Sequence, residues 1–403
     1  MLTLAFRNVF RNRFRTALTL AAIGCGVAAI IVSGGFVEDV FVQLRESTIH
    51  SRLGHIQVLR TGYLDYGRRE PFRYLIADPA EVVERARALP HVSIATTRVY
   101  FSGLANNGRA DLPVVGEGVE AGNEARLGTA TVFVAGQPLR DTDPFAANLG
   151  EGLAAALGLA PGSPVTLTVS TPDGALNALE FKVTGVFRTF SKDYDDHAVR
   201  ISKVAAQELL NTKAVHGIVL GLDDTASTDA TAAALVAALP PGRYDVKPWH
   251  ELADFYVKTV ALYRRQFGAL QLVIFVLLVL TVASTVNMVV HERTGEFGTL
   301  LALGTRRRDI FRLVLTENAL LGAIGAVVGV ALGVIVALLL SSIGIEMPPP
   351  PGSSASYTAS IRLVPSVIAV AACAGAVAAC CAALMPGRRA ARLPVVDALR
   401  HNV

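Results

Sequence analysis

Charge is what this sequence has least of. Only 17% of its 403 residues are Asp, Glu, Lys or Arg, while 52% are hydrophobic, against about 25% charged in an ordinary soluble protein. Its 37 basic and 33 acidic residues leave a net charge of +4, too balanced for a nucleic-acid binder that works through bulk charge. The four cysteines, Cys25, Cys373, Cys380 and Cys381, all fall in apolar runs, so neither a disulfide framework nor a zinc spacing is available to a water-exposed domain. Lysine occurs six times and never after a glycine, which excludes a Gly-Lys-Ser/Thr phosphate loop from these residues. His50, His55, His91, His197 and His216 are too scattered for a linear metal motif, and no Gly-x-Ser-x-Gly elbow occurs.

The missing charge is concentrated in four uncharged apolar runs, Ala17 to Val37, Phe267 to Val290, Ala319 to Ile345 and Leu363 to Leu384. At 1.5 Å per residue each exceeds about 30 Å, enough to cross a bilayer core. Arginines set the direction. Arg7, Arg11, Arg13 and Arg15 precede the first run, Arg293, Arg306, Arg307, Arg308 and Arg312 lie between the second and third, and Arg388, Arg389, Arg392 and Arg400 follow the fourth. Both termini and the middle loop are therefore expected in the cytoplasm. The expected fold is an α-helical membrane protein with four transmembrane helices and a large α+β extracytoplasmic domain between helices 1 and 2. In residue ranges this reads as an amphipathic interfacial helix over 1–16, spans over 17–40, 266–290, 318–345 and 363–385, and the large domain over 41–265. A cytoplasmic coupling loop occupies 291–317, an external proline-rich loop 346–362, and a cytoplasmic tail 386–403. Ala22-Ile23-Gly24-Cys25 looks like a lipoprotein cleavage site, but the apolar run continues past Cys25, so the first span is expected to be retained.

Within the large domain, strands are expected at His55 to Leu59, Val92 to Leu104, Leu112 to Val119, Val165 to Val169, Leu179 to Phe187 and Gly217 to Leu222. Helices are expected from Asp78-Pro79, near Gly152 to Leu157, after Ser202, and over Thr225 to Leu239. The densest polar stretch, Asp193 to His197, reads as a solvated loop rather than a cation site.

The most informative segment joins the second and third runs. After Glu292-Arg293 and Glu296, the residues Phe297, Gly298, Leu300, Leu301 and Leu303 have helical spacing, and Gly304 reads as a helix stop. A second helix then begins near Arg306 and runs past Glu317. A short exposed apolar helix between two spans suits docking of a soluble partner; packing on its own bundle is the alternative.

Here the sequence resembles a known family. Glu292-Arg293, Glu296, Gly298, Ala302-Leu303-Gly304 and Glu317 look like the signature of the MacB/FtsX/LolC group of ABC transporter permeases. Pro386 to Leu393 with Val396 to Arg400, and Ala5 to Val9 near the start, resemble the same group, as do Leu157-Gly158-Leu159, Pro161-Gly162, Val183 to Phe187 and Trp249 to Leu252. The run from Phe187 to Asp195 is nearest to lipoprotein-releasing LolC/LolE permeases. The resemblance implies a permease, not itself an enzyme, in the bacterial inner membrane. It also implies a second permease, as homodimer or heterodimer, and a dimer of separate ATPase subunits that bind ATP and Mg. ATPase motion would reach the external domain through Glu292, Arg293, Glu296, Phe297, Gly298, Leu300, Leu301, Leu303, Gly304 and Glu317 by mechanotransmission. No cofactor is expected in this chain. Membrane lipid is an expected partner, and either lipoprotein cargo or a periplasmic adaptor is a further one. Three functions stay open: lipoprotein or lipid release, tripartite efflux of small molecules or peptides, and regulation of an extracellular hydrolase without transport.

Overall fold

A computed structural model describes residues 13–67, 69–189, 191–347, 357–392 and 394. Most of the expected interfacial helix, the prolines from 348 to 351 and the C-terminal motif from 395 onward lie outside the described residues. Contacts divide the chain into a helical unit and a sheet unit, the latter formed mainly by Gln43–Thr259.

The helical unit contains long helices over Arg13–Thr48, Asp254–Glu292, Arg307–Ile343 and Pro365–Arg392. Each is long and apolar enough to cross a membrane; the first two contain their apolar runs whole, while the third run outlasts its helix by two residues and the fourth begins two residues before its own. Their packing follows side-chain size. The second helix sends Leu278, Val282, Val286 and Val290 into the core at a four-residue spacing, beside Ile23, Val27, Ile30 and Ile31 of the first. The third helix instead presents Gly322, Gly325, Gly329 and Gly333, all buried. A Cβ on Gly329 would sit 3.0 Å from the Cα of Gly24 and 2.6 Å from the Cβ of Val27, so the first and third helices meet nearly backbone to backbone. Small residues permit that approach, and dispersion and lipid release, rather than the hydrophobic effect, reward it in a membrane. One buried carboxylate, Asp39 of the first helix, accepts hydrogen bonds from the Ser360 amide at 3.0 Å and Arg362 Nε at 3.1 Å, which fixes the entry to the fourth helix.

The sheet unit is built on ten strands: β1 Ile56–Arg60, β2 Val92–Asn106, β3 Asp111–Val119, β4 Val132–Gly136, β5 Ala146–Gly150, β6 Pro164–Ser170, β7 Leu176–Arg188, β8 Ala198–Ser202, β9 Gly217–Leu222 and β10 Tyr244–Pro248. They are ordered β10-β1-β9-β2-β3-β8-β5-β7-β4, with β6 pairing β2 and β7. Among the described residues of this sheet, β3 with β8 and β5 with β7 run parallel and the other pairs antiparallel. Side-chain alternation explains the hairpin of β6 and β7, in which Val165, Leu167 and Val169 turn into the core while Thr166 and Thr168 turn away. Strand β9, flanked by β1 and β2, is buried along its whole length. The expected strands are all present. Helices form over Ala80–Arg87, Glu151–Leu157, Lys203–Leu209 and Thr228–Ala238, and the Ser202 hydroxyl caps the third of these by accepting from the Ala205 amide at 3.1 Å.

Asp193 to His197 is not a solvated loop. Tyr194 and Asp195 are buried, and the Asp195 carboxylate accepts from the Thr189 amide at 2.8 Å and its hydroxyl at 2.7 Å. A short helical turn, Lys192–Asp195, tucks these two side chains inward and leaves Lys192 to pair with Asp196 at the surface.

Two of the scattered histidines are buried acceptors. His55 Nδ1 accepts from the Leu222 amide and His216 Nδ1 from the Tyr100 amide, both at 3.1 Å. Protonation would remove the acceptor, and burial already lowers both pKa values from 6.5 to about 4. Between those values the unfolded chain binds protons that the folded chain refuses, so stability falls as pH drops from about 6.5 to 4. For His216 the loss approaches about 3 kcal/mol at the acid end. Thermal unfolding of the detergent-solubilised chain is expected to show this fall, reduced in a His216→Gln variant; a flat profile across that window refutes it. Gly329→Leu is expected to lower the unfolding temperature by an overpacking cost of about 1–3 kcal/mol. Gly268→Ala, inside a helix and with no neighbour within 4 Å of the added carbon, is expected not to lower it in the same assay.

Candidate functional site

The short helix Thr294–Ala302 joins the second and third long helices and is defined at both ends. At its start Arg293 leaves helical geometry, and the Thr294 hydroxyl donates back to the His291 carbonyl at 2.6 Å. At its end Gly304 takes φ +90°, a conformation that a side chain resists. The Gly304 amide donates to the Leu301 carbonyl at 3.1 Å and the Thr305 amide to the Leu300 carbonyl at 3.0 Å. That pair of bonds is the Schellman arrangement, which satisfies the last carbonyls of a helix and stops it. Gly304 is thus the helix stop that the sequence signals.

Arg293 ties the helix down. Its Nε donates to Glu296 and its Nη1 to Glu317, each at 2.8 Å, and its guanidinium lies 5.2 Å from the centre of the Phe297 ring. Burial alone would lower the Arg293 pKa, but Glu317 and Glu296 outweigh it and raise it. Breaking a buried pair by removing one partner costs about 3–5 kcal/mol in general, so this triad fixes where the short helix sits on the third long helix.

The ten residues proposed from the sequence therefore separate by position. Phe297 is 1% exposed and packs with Ile310 and Val314 in the helical core, with Leu300 and Leu301 half-buried beside it. Gly298 is buried too, and Glu317 sits inside the triad. For these residues, packing on the chain's own bundle is what the structure shows, and the helix is not exposed all round. Glu292, Leu303 and Gly304 are exposed, with Leu303 at 79%. Glu296, Thr299 and Leu303, spaced three and four apart, make one outward stripe.

A second constellation was not visible in the sequence. In the sheet unit the first long helix gives way to a π-helical turn, Ile49–Leu53, closed by Gly54 at φ +66° with its amide bonded to the Ile49 carbonyl at 2.9 Å. Beneath the turn lie Arg98 of β2, Glu117 of β3, Arg200 of β8 and Glu124 of the helix Ala121–Leu127, all from the domain's own body. Arg98 grips Glu124 with bonds of 2.8 and 3.1 Å and also donates to the Arg52 carbonyl. Arg200 donates to the Ser51 carbonyl at 2.7 Å, lies 3.4 Å from Glu117, and stacks 4.7 Å from the Phe187 ring centre. Burial alone would raise the Glu117 pKa; Arg98, Arg200 and Arg52 outweigh it and hold the carboxyl at about 2. On the other side of the turn, Ile49 packs with Trp249 and Ala253, which precede and lead into the second long helix. No linear spacing announces this cluster, because its members stand at positions 52, 98, 117, 124 and 200.

Among the described residues no three His, Cys, Asp or Glu side chains converge to hold a metal. The arrangement offers an anchored helix with one outward face and a buried ionic anchor in the sheet unit.

A family model for the MacB-like periplasmic core domain matches residues 16–238, and one for the FtsX-like permease C-terminal region matches residues 268–395. The lipoprotein-releasing system transmembrane protein LolC of Neisseria meningitidis is 25% identical over 98% of this chain and 96% of its own length. The pyoverdine export ATP-binding/permease protein PvdT of Pseudomonas entomophila is 26% identical, and the macrolide export ATP-binding/permease protein MacB of Rhodospirillum rubrum 25%; they align with 98% and 99% of this chain. The chain spans only 58% and 60% of those two proteins. Among solved structures, the periplasmic region of MacB from Actinobacillus actinomycetemcomitans aligns with 51% of the chain and 92% of its own, at 13% identity and a TM-score of 0.38. With both matched regions in order along one chain, this protein belongs to the FtsX-like family of ABC transporter permeases that carry a MacB-like periplasmic core domain.

Proposed function

We propose that this permease takes its energy from a separate dimeric ATPase docked on the helix Thr294–Ala302, and that it passes the motion to its sheet unit to release a lipid-linked cargo, a lipoprotein or a lipid, from the outer face of the bacterial inner membrane. The observation that carries the proposal is the contrast between the two faces of that helix. One face is fixed by Phe297 and the Arg293 triad; the other offers Thr299 and Leu303 to a partner. A push received on the outward stripe is delivered to the third long helix through Glu317 rather than absorbed by a loose loop.

The direction of the helices rests on the arginine clusters at the ends of the spans, which put both termini and the short helix in the cytoplasm and the sheet unit in the periplasm. ATP and Mg belong to the partner, since none of the six lysines follows a glycine. A second permease, identical or related, completes the membrane part, and lipid surrounds it. Lipoprotein handling is favoured over efflux because the run from Phe187 to Asp195 is nearest to lipoprotein-releasing permeases. Tripartite efflux with a periplasmic adaptor is the second reading, and it shares the same docking helix.

Leu303→Glu and Thr299→Arg, both at exposed positions outside the triad, are expected to lower stimulation of the partner ATPase at least tenfold in reconstituted membranes, with insertion and thermal stability unchanged. Stimulation at the wild-type level in both variants sinks the docking role. Mass spectrometry of material copurified with the membrane complex is expected to identify acylated polypeptide or lipid; a periplasmic adaptor in its place selects efflux.

A further inference from the structure

The third and fourth long helices leave a groove of about 380 Å³ on their outer side, lined by Leu315, Thr316, Ala319, Cys380, Cys381 and Leu384. Its wall carries no ionisable group apart from the two thiols. Helical phase explains why it exists. At about 100° per residue, Leu315, Thr316 and Ala319 share one arc of the third helix, while Ile310, Val314 and Glu317 occupy the opposite, buried side. On the fourth helix the small core residues Ala378, Ala379, Ala382 and Ala383 turn inward, and Cys380, Cys381 and Leu384 are left facing out.

The same phase carries the groove to a basic end. Arg312 lies one turn before Thr316 and Arg308 one turn before that, while Arg388 lies one turn beyond Leu384 on the fourth helix. All three are exposed, and among the described residues none forms an ion pair. The structure thus combines an apolar trough running along the span with three unpaired guanidinium groups at one of its ends. We propose that this groove binds one anionic phospholipid, an acyl chain lying against Thr316, Ala319 and Cys381 and the phosphate held by Arg308, Arg312 and Arg388. Charge complementarity selects the occupant. Guanidinium grips the phosphate oxygens of either lipid with charge-assisted, forked bonds, but the quaternary ammonium of a zwitterionic lipid is repelled by three guanidinium groups, so net charge selects the anionic one. The binding rests on the four helices spanning a bilayer and not on their direction.

The test is lipid retention by the full chain in nanodiscs of equal phosphatidylglycerol and phosphatidylcholine, read by native mass spectrometry after release from the disc. Wild-type protein is expected to retain phosphatidylglycerol selectively, and the Arg308→Gln, Arg312→Gln, Arg388→Gln triple variant to lose roughly a hundredfold in that preference. Ala319→Phe, which fills the trough and leaves the arginines in place, is expected to weaken retention as well. Equal retention of both lipids by wild type overturns the proposal. So does selectivity preserved in the triple variant, and selectivity preserved in Ala319→Phe reduces the interaction to surface charge and overturns the groove. Failure of the chain to enter the discs at all is a different result, which removes the membrane-span reading and this site with it.

Discussion

Two guanidinium groups holding two main-chain oxygens are the constraint on which the sheet unit depends. The last carbonyls of any helix lack partners within it, and here the turn Ile49–Leu53 must end a long apolar helix inside a protein body, away from water. Arg98 and Arg200 meet that need by donating to the carbonyls of Arg52 and Ser51. Their charge then has to be balanced where it lies, which is why Glu117 and Glu124 are buried beneath them and why Glu117 stays ionised far into acid. The strands that carry these side chains, β2, β3 and β8, are neighbours in the sheet, so one ionic cluster fixes sheet order and helix exit together.

The loop helix Thr294–Ala302 solves a similar problem with fewer parts. Arg293 again bridges two carboxylates, but at the start of a helix and with one of the two, Glu296, half open to solvent. The Schellman stop at Gly304 makes the segment short and fixes its length. In both places an arginine outside regular helix sets the position of a helix end, and the apolar packing of Phe297 or Ile49 supplies the rest.

Much of this was legible in the sequence, and what was not has physical causes. Four uncharged runs survive any reading because nothing but lipid or a very large core accommodates them. Strands with clean alternation, such as Val165 to Val169, and the wholly apolar Gly217 to Leu222 also announce themselves. Strand β5, Ala-Ala-Asn-Leu-Gly, does not, because its small residues have little β preference and only its neighbours β7 and β8 make it a strand. Val132–Gly136 is an edge strand with mostly exposed residues, so the alternation that marks a half-buried strand is absent. The Arg293–Glu296 pair could be read from its spacing, but Glu317 completes the triad from 24 residues away. The charges at 98, 117 and 200 look like ordinary solvated residues until the sheet brings them together. Asp195 was misread for the same reason, since local polarity hid a hydrogen bond made to Thr189.

The anchor beneath the π-helical turn grips the main-chain oxygens of residues 51 and 52, and its Glu117 also lies 3.4 Å from the Arg52 side chain, so it reads the shape of the backbone and one charge. The information that seats the turn is shared between Arg98, Arg200 and Glu117 of the strands and Arg52 of the turn. A sheet unit of this kind carries its own socket. A turn placed in that socket keeps its seat only if it has the same backbone shape and a cation at position 52.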